Sequence, residues 1–419
     1  MRRTPELLDA HPGEMFSEPT PLTFPDRNIE AEEPVRPPAA EASWAALVAI
    51  GVGAFALVTT EFLPIGLLPR IARDMTVTEG QAGLAMTKSG LLAAAAAPSS
   101  IWLAGKLDRR KVLLFLLGIL LVANLIVAVA PTFLVILLGR VLLGATVGAF
   151  WTIAGPLGPR LKPGPRAGLA TAIILSGVSL GTVAGVPAGA LIGELVGWRF
   201  TFALSAIVAV LVLVAVALLV PSLPAKSAGG PGDLYRVLGN RMVQFGLAGI
   251  ILSFIGQFAG YTYITPFLLK VARVDPSTIS AVLFGFGLVG VAGNLLGGWA
   301  VGKSLRWALV GTLTLLGASV LLLILTGSHP AVAIPLVLVW GLGFGMQPIV
   351  MQNWMFNAAP DQLEGVQAVL VSAAQASIGS GALVGGLVFD QFGPNAAFGV
   401  AAATAFLTAA MFGVRNAGR

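Results

Sequence analysis

Beyond residue 43 the chain is a train of apolar runs, most of them 20 residues or longer, separated by short clusters of glycine, proline and charged residues. A helix of about 20 apolar residues crosses the roughly 30 Å hydrocarbon core of a bilayer. The pattern predicts spans over 44–69, 80–103, 111–130, 132–157, 167–194, 199–220, 242–269, 277–301, 306–327, 331–355, 363–389 and 395–414. Twelve such segments make this an all-α membrane protein. The longest polar link, 221–241, divides them six and six, so 44–220 and 242–419 are read as two six-helix bundles joined by a linker.

One run carries a second pattern. Glycines stand at 177, 181, 185, 189, 193 and 197. Residues four apart line one inclined ridge of a helix, so this helix presents a groove free of side chains. In lipid, where apolar burial does not drive helices together, such grooves let backbones approach closely. Pro187 inside the run removes one helical hydrogen bond and permits a bend. The expectation is that this groove lets the two bundles slide past each other.

The halves also echo one another. Gly185, Gly189, Gly197 and Phe202 are matched 196 positions later by Gly381, Gly385, Gly393 and Phe398, and Gly105, Lys106 and Arg109 are matched at an offset of 197 by Gly302, Lys303 and Arg306. A repeat that keeps phase over several spans indicates two structurally similar halves, an arrangement typical of transporters with a site between them.

Composition sharpens this. Only 11% of the 419 residues are charged and 56% are hydrophobic, against roughly 25% charged in an ordinary soluble domain. With no cysteine and only His11 and His329, no thiolate metal site forms and imidazole chemistry has little to work with, so no metal or cofactor is expected. Residues 1–41 hold nine acids and four bases and are rich in proline, which predicts a disordered tail over 1–43. With the amino terminus inside, the inner connections hold fourteen Lys and Arg and the outer ones five, which places both termini in the cytoplasm of an inner-membrane protein. Nothing points to nucleic acid. Gly285-Phe-Gly287-Leu-Val-Gly290 spells a dinucleotide fingerprint but follows no strand, and no phosphate loop exists, so any pumping draws on an ion gradient.

Three ionisable residues fall within spans, where charge is costly and marks function by default. Glu61, Lys88 and Arg140 each lie eight residues from an outer boundary, roughly 12 Å deep. The equal depth predicts that Glu61 pairs with Lys88, Arg140 or both, and exchanges a proton as the site changes its access to water. Gln257, Tyr261, Asn294, Gln347 and Gln375 are the candidate lining of a substrate cavity, suited to a neutral hydroxylated or planar molecule.

Several motifs resemble the major facilitator superfamily, specifically its drug:proton antiporter branch. They are Ala104-Gly-Lys-Leu-Asp108-Arg109-Arg110-Lys111 between spans 2 and 3, Leu138-Gly-Arg140-Val-Leu-Leu-Gly144 in span 4, and Gly177 to Gly189 with Gly185-Val-Pro187-Ala-Gly189 in span 5. Thr59-Thr-Glu61-Phe-Leu-Pro64, Gly256-Gln257-Phe258 and Tyr261-Thr-Tyr263-Ile-Thr-Pro266 are similar to its sugar-efflux and purine-ribonucleoside-efflux members. The resemblance implies a gating role for Asp108, Arg109, Arg110, Gly185, Pro187 and Gly189. It also implies a monomeric proton-coupled exporter working by alternating access. The competing expectation is a multidrug:proton antiporter. A non-transporting receptor would need a signalling domain, which neither the tail nor the linker supplies, and a membrane enzyme a polar catalytic cluster that is not found.

Overall fold

The computed structural model describes residues 43–105, 107–154, 157–224 and 236–414. The expected tail over 1–43 lies outside the described residues apart from Ser43, as do 225–235 of the linker. Twelve long helices follow one another: α1 (Trp44–Asp74), α2 (Glu79–Ala104), α3 (Arg109–Ala128), α4 (Phe133–Ala154), α5 (Ala167–Leu195), α6 (Trp198–Leu219), α7 (Arg241–Tyr261), α8 (Pro276–Lys303), α9 (Leu305–Thr326), α10 (Pro330–Ala358), α11 (Leu363–Phe392) and α12 (Pro394–Val414). Eleven are long and apolar enough to cross a membrane. The remaining one, α2, is diluted by Lys88, Pro98 and its serines but has 26 residues.

Polar side chains stop and start these helices. Asp108 caps α3, Asn240 caps α7 and Asp275 caps α8, each accepting from backbone N–H groups of the first turn. Pro64 and Pro69 do not end α1, which runs on to Asp74. The prolines remove the donors that would serve the carbonyls of Thr60 and Ile65, and other side chains supply them, as described below. Pro266 acts differently: α7 breaks at Tyr261 and a separate helix, Ile264–Lys270, follows.

One apolar core, with Leu47, Leu57, Leu117, Phe150 and Val212, belongs to the first six helices. Another, with Val243, Leu309, Val350 and Phe412, belongs to the last six. A third joins both halves: Ile65, Met86 and Ala190 pack with Phe258, Leu283, Trp340 and Ile378.

The internal repeat is visible in bonds as well as residues. Arg110 donates to the carbonyl of Ala217, and Arg306 to that of Gly413, so both ends of this contact recur at an offset of 196. The structure therefore pairs Arg306 with Arg110, correcting the sequence match to Arg109. Gly197 and Gly393, also 196 apart, open α6 and α12 at φ of 97° and 85°, a backbone conformation that only glycine enters without strain.

The glycine groove of α5 is real, but its partner is α1 of the same half. A Cβ on Gly177 would collide with the carbonyl oxygen of Gly51, one on Gly185 with Thr59, one on Gly189 with Leu63 and one on Gly193 with Leu67. In the second half Gly381 and Gly385 of α11 meet Ile255 and Ala259 of α7, again 196 positions on. The groove thus binds each half together rather than letting the halves slide, and spacing alone could not reveal which neighbour fills it. Over Gly181–Gly185 α5 widens into a π-turn, two residues before Pro187.

Replacing Gly177 by alanine is expected to destabilise the protein by about 1–3 kcal/mol through overpacking against an immovable backbone. Gly168→Ala in the same helix meets nothing within 4 Å and should leave stability unchanged or raised. Thermal unfolding of the two variants in detergent separates packing from glycine content.

Candidate functional site

Pro64 creates the first element of the site. Because it has no N–H, the Thr60 carbonyl loses its helical donor, and Arg140 Nη1 donates to that oxygen at 2.8 Å. The same guanidinium donates to the carbonyls of Glu61 at 2.6 Å and Ala85 at 3.0 Å and to Ser89 Oγ at 3.2 Å. Arg140 is 1% exposed, and a cation so placed is tolerated because carbonyl dipoles from α1 and α2 replace its hydration. Asn124 of α3 steadies the same turn, donating to Thr60 Oγ1.

The structure brings Glu61 and Arg140 together. Glu61 is 2% exposed, and its carboxylate lies within electrostatic reach of Arg140 and close to the Gln375 side chain of α11. The guanidinium donates mainly to carbonyls, however, so the expected pairing with Arg140 is an interaction through space and not a contact ion pair. Lys88 does not join them. It is exposed, while Met86 and Ser89 on the same helix face Arg140. Two positions along a helix turn about 200°, so Lys88 leaves α2 on the side opposite Met86. Equal depth is no evidence of equal direction.

Glu61-Phe62 and Gln257-Phe258 are 196 positions apart, so the acid of the first half and an amide of the second occupy equivalent places. Phe62 and Phe258 stack on each other, ring centroids 6.0 Å apart, at the seam between halves. Tyr261 extends this aromatic wall, stacking on Phe286 at 5.0 Å and Phe344 at 5.1 Å. Trp340 Nε1 donates to Gln257 Oε1 at 3.1 Å. Among the described residues, Glu61 Oε1, Gln375 Oε1, Gln257 Nε2 and Gln347 Nε2 are buried without a hydrogen-bond partner. Unmet buried polar atoms of this kind are costly, and four of them on residues of α1, α7, α10 and α11 suit a site that hydrogen-bonds a polar guest. Asn294 is exposed on the face of α8 that carries Leu283 and Gly287, beyond the level where Gly287 meets Val183 of α5.

Residues to which sequence reasoning gave no site role close one end of the seam. Asp390, at the end of α11, accepts from the Thr78 hydroxyl at 2.5 Å and the Gly80 N–H at 3.0 Å, capping α2 from the other half. Lys270 pairs with Glu79 at 2.5 Å. The Ile65 carbonyl, freed by Pro69, accepts from Thr265 Oγ1 at 2.8 Å. Tyr263, delivered by the break in α7, inserts its phenol between Gly83 and Gly386 and donates to the Ala382 carbonyl at 2.8 Å. The glycines of α2 and α11 carried a signal, since Gly83 and Gly90 and likewise Gly379 and Gly386 are seven apart.

The Asp108, Arg109, Arg110 motif lies within the first half. Asp108 caps α3 and also accepts from Ser222 Oγ at 2.5 Å and the Leu223 N–H at 2.8 Å, while Arg109 N–H donates to the Leu223 carbonyl at 2.9 Å. The motif thus anchors the chain leaving α6. Burial of Asp108 pushes its carboxyl up, but the donors from Ser222, Arg110, Leu223 and Lys111 outweigh that and hold it below the ordinary carboxylate range.

Because its folded pKa is depressed, Asp108 stabilises the fold at neutral pH, and that contribution disappears as pH falls from about 4 through the lowered value. Asp108→Ala should lower stability at pH 7 by about 1 kcal/mol, typical of a lost cap, with the difference from wild type shrinking in acid; unfolding at several pH values checks this. For the sealed end, Asp390→Ala should favour separation of α2 from α11. The chain lacks cysteine, so Thr87→Cys, buried in the seam, is a clean reporter, and its labelling by a maleimide should quicken about fivefold for roughly 1 kcal/mol lost at the cap.

With this geometry in view, the comparisons with known proteins are consistent. The family model described as Major Facilitator Superfamily matches residues 50–380 and 247–417. Purine ribonucleoside efflux pumps of Salmonella paratyphi A and Salmonella paratyphi C are 32% and 31% identical to this chain over 354 residues, covering 84% of it and 89% of each relative. In fold the chain is similar to a bacterial homologue of the human lysosomal transporter Spinster, solved inward-facing and unoccupied, with a TM-score of 0.70 at 15% identity over 88% of this chain and 94% of that one. Twelve helices in two equivalent bundles, a repeat held in phase by shared contacts, and a family match over most of the chain place this protein in the Major Facilitator Superfamily.

Proposed function

We propose that this protein is a proton-coupled exporter of purine nucleosides, acting as a monomer in the inner membrane with both termini in the cytoplasm. The observation that carries the reading is the juxtaposition at the seam: a buried acid, Glu61, in one half, and amide atoms still open to a hydrogen bond, Gln257 Nε2, Gln347 Nε2 and Gln375 Oε1, beside an aromatic wall in the other. A purine offers a flat face for Phe62, Phe258, Tyr261 and Phe344, and its edge carries both donors and acceptors for amides. The relatives named as purine ribonucleoside efflux pumps support that substrate class.

Coupling follows from a shared contact. Ionised Glu61 accepts from the Gln375 amide and is stabilised by Arg140; protonated Glu61 becomes a donor and loses its attraction to the guanidinium. Each state therefore sets a different bond between α1 and α11, and so between the halves. In this reading, with both termini in the cytoplasm, the sealed end faces outside, the described conformation is closed to the exterior, and Asp390, Tyr263 and Thr265 act as the outer gate. Opening breaks those contacts and exposes Glu61 to incoming protons. The Lys and Arg excess on the opposite connections supports this orientation.

Inverted vesicles carrying the protein should accumulate labelled purine nucleosides against their gradient when the lumen is acidified, and hydrophobic cations should not compete. Glu61→Gln should abolish uphill accumulation while leaving downhill exchange of nucleoside. A Glu61→Gln protein that still pumps overturns the coupling role, and transport of cations but not nucleosides overturns the substrate class.

A further inference from the structure

Away from the seam, a trough of about 250 Å³ opens between the end of α8 and the start of α9, lined by Trp299, Lys303, Ser304, Trp307, Gly311 and Thr312, with Met346 of α10 beside them. Its make-up differs from the apolar helix faces around it. Trp299 and Trp307 are 64% and 68% exposed, and both stand within about one turn of the helix ends at Lys303 and Leu305, the level at which tryptophan anchors in a membrane interface. Lys303 is exposed between them and forms no ion pair among the described residues. Farther down the trough Thr312 is 0% exposed, and its hydroxyl has no hydrogen-bond partner. Gly311 leaves open space, since a Cβ there meets nothing within 4 Å.

These features converge on one kind of guest. A cation at the interface attracts an anionic headgroup; two tryptophans accept the amphipathic zone below it; a buried, unmet hydroxyl lies deeper, where a polar ester group would satisfy it; and the open lane at Gly311 continues toward hydrocarbon. We propose that the α8–α9 trough is a binding site for a single anionic phospholipid, with its phosphate at Lys303 and Ser304 and an acyl chain lying along Trp307, Gly311 and Met346. Lipid is favoured over a soluble phosphate because the lining below Lys303 is apolar apart from one hydroxyl.

The site is tested on the full chain by native mass spectrometry after exchange into detergent with equal phosphatidylglycerol and phosphatidylcholine. Wild type should retain phosphatidylglycerol preferentially, and Lys303→Gln should reduce that preference about fivefold, the effect of one interfacial cation. Gly311→Leu extends a side chain into the lane from a position where a Cβ meets nothing within 4 Å, and should expel the lipid; unchanged helicity by circular dichroism shows that the variant is folded. Thr312→Val should weaken retention without removing the headgroup preference. Equal retention of the two lipids by wild type overturns the proposal, as does a preference that survives both Lys303→Gln and Gly311→Leu. Displacement of the lipid by millimolar inorganic phosphate overturns it too, because the ligand would then be the free anion.

Discussion

A carbonyl oxygen left without its helical donor is the hinge of this structure. Pro64 strips the Thr60 carbonyl of an N–H, and in hydrocarbon no water can replace it. Arg140 does, and its remaining donors gather the Glu61 and Ala85 carbonyls and Ser89, so one guanidinium ties α4 to α1 and α2. The neighbouring carboxylate is thereby held at a set place in a low-dielectric interior, where its charge is strongly felt. A second proline repeats the device with a different result. Pro69 frees the Ile65 carbonyl, and the donor that answers it, Thr265, comes from the other half. One freed carbonyl is answered within a bundle; the other links two bundles.

The halves share a scaffold and divide its chemistry. Packing of α5 on α1 recurs as α11 on α7, and the arginine contacts of α3 with α6 recur as α9 with α12, all displaced by 196 positions. At the point where the halves meet, equivalent phenylalanines stack, but the residue before each differs: an acid in the first, an amide in the second. Arg140 likewise has Leu336 as its counterpart 196 positions on. The repeat supplies matched frames on either side of a common seam, while Glu61 and Arg140 have no ionisable counterparts 196 positions on.

Small residues decide where that seam closes. Glycines 80, 83 and 90 of α2 face Asp390, Tyr263, Gly386 and Gly379, so backbones approach until a capping carboxylate and a phenol fit between them. Such contacts gain from dispersion and a few hydrogen bonds rather than from expelling water. They close one end of the seam.

The sequence by itself determined the number and approximate positions of the helices, the two-fold internal repeat, and Glu61, Arg140, Gln257, Gln347 and Gln375 as buried polar residues. It could do so because hydrocarbon forces every backbone polar group to be satisfied within its own segment, which makes spans local and countable. Direction around a helix and choice of partner were not local. Depth put Lys88 beside Glu61, yet the turn of α2 sends it outward; a four-residue spacing announced a groove, yet only packing placed α1 in it; Tyr263 was one residue of a motif inside a span and Asp390 carried no signal until α2 and α11 came together around them. Those decisions belonged to the tertiary structure, because the donor for a freed carbonyl, the wall of a groove and the partner of a buried acid all come from residues far away in the chain.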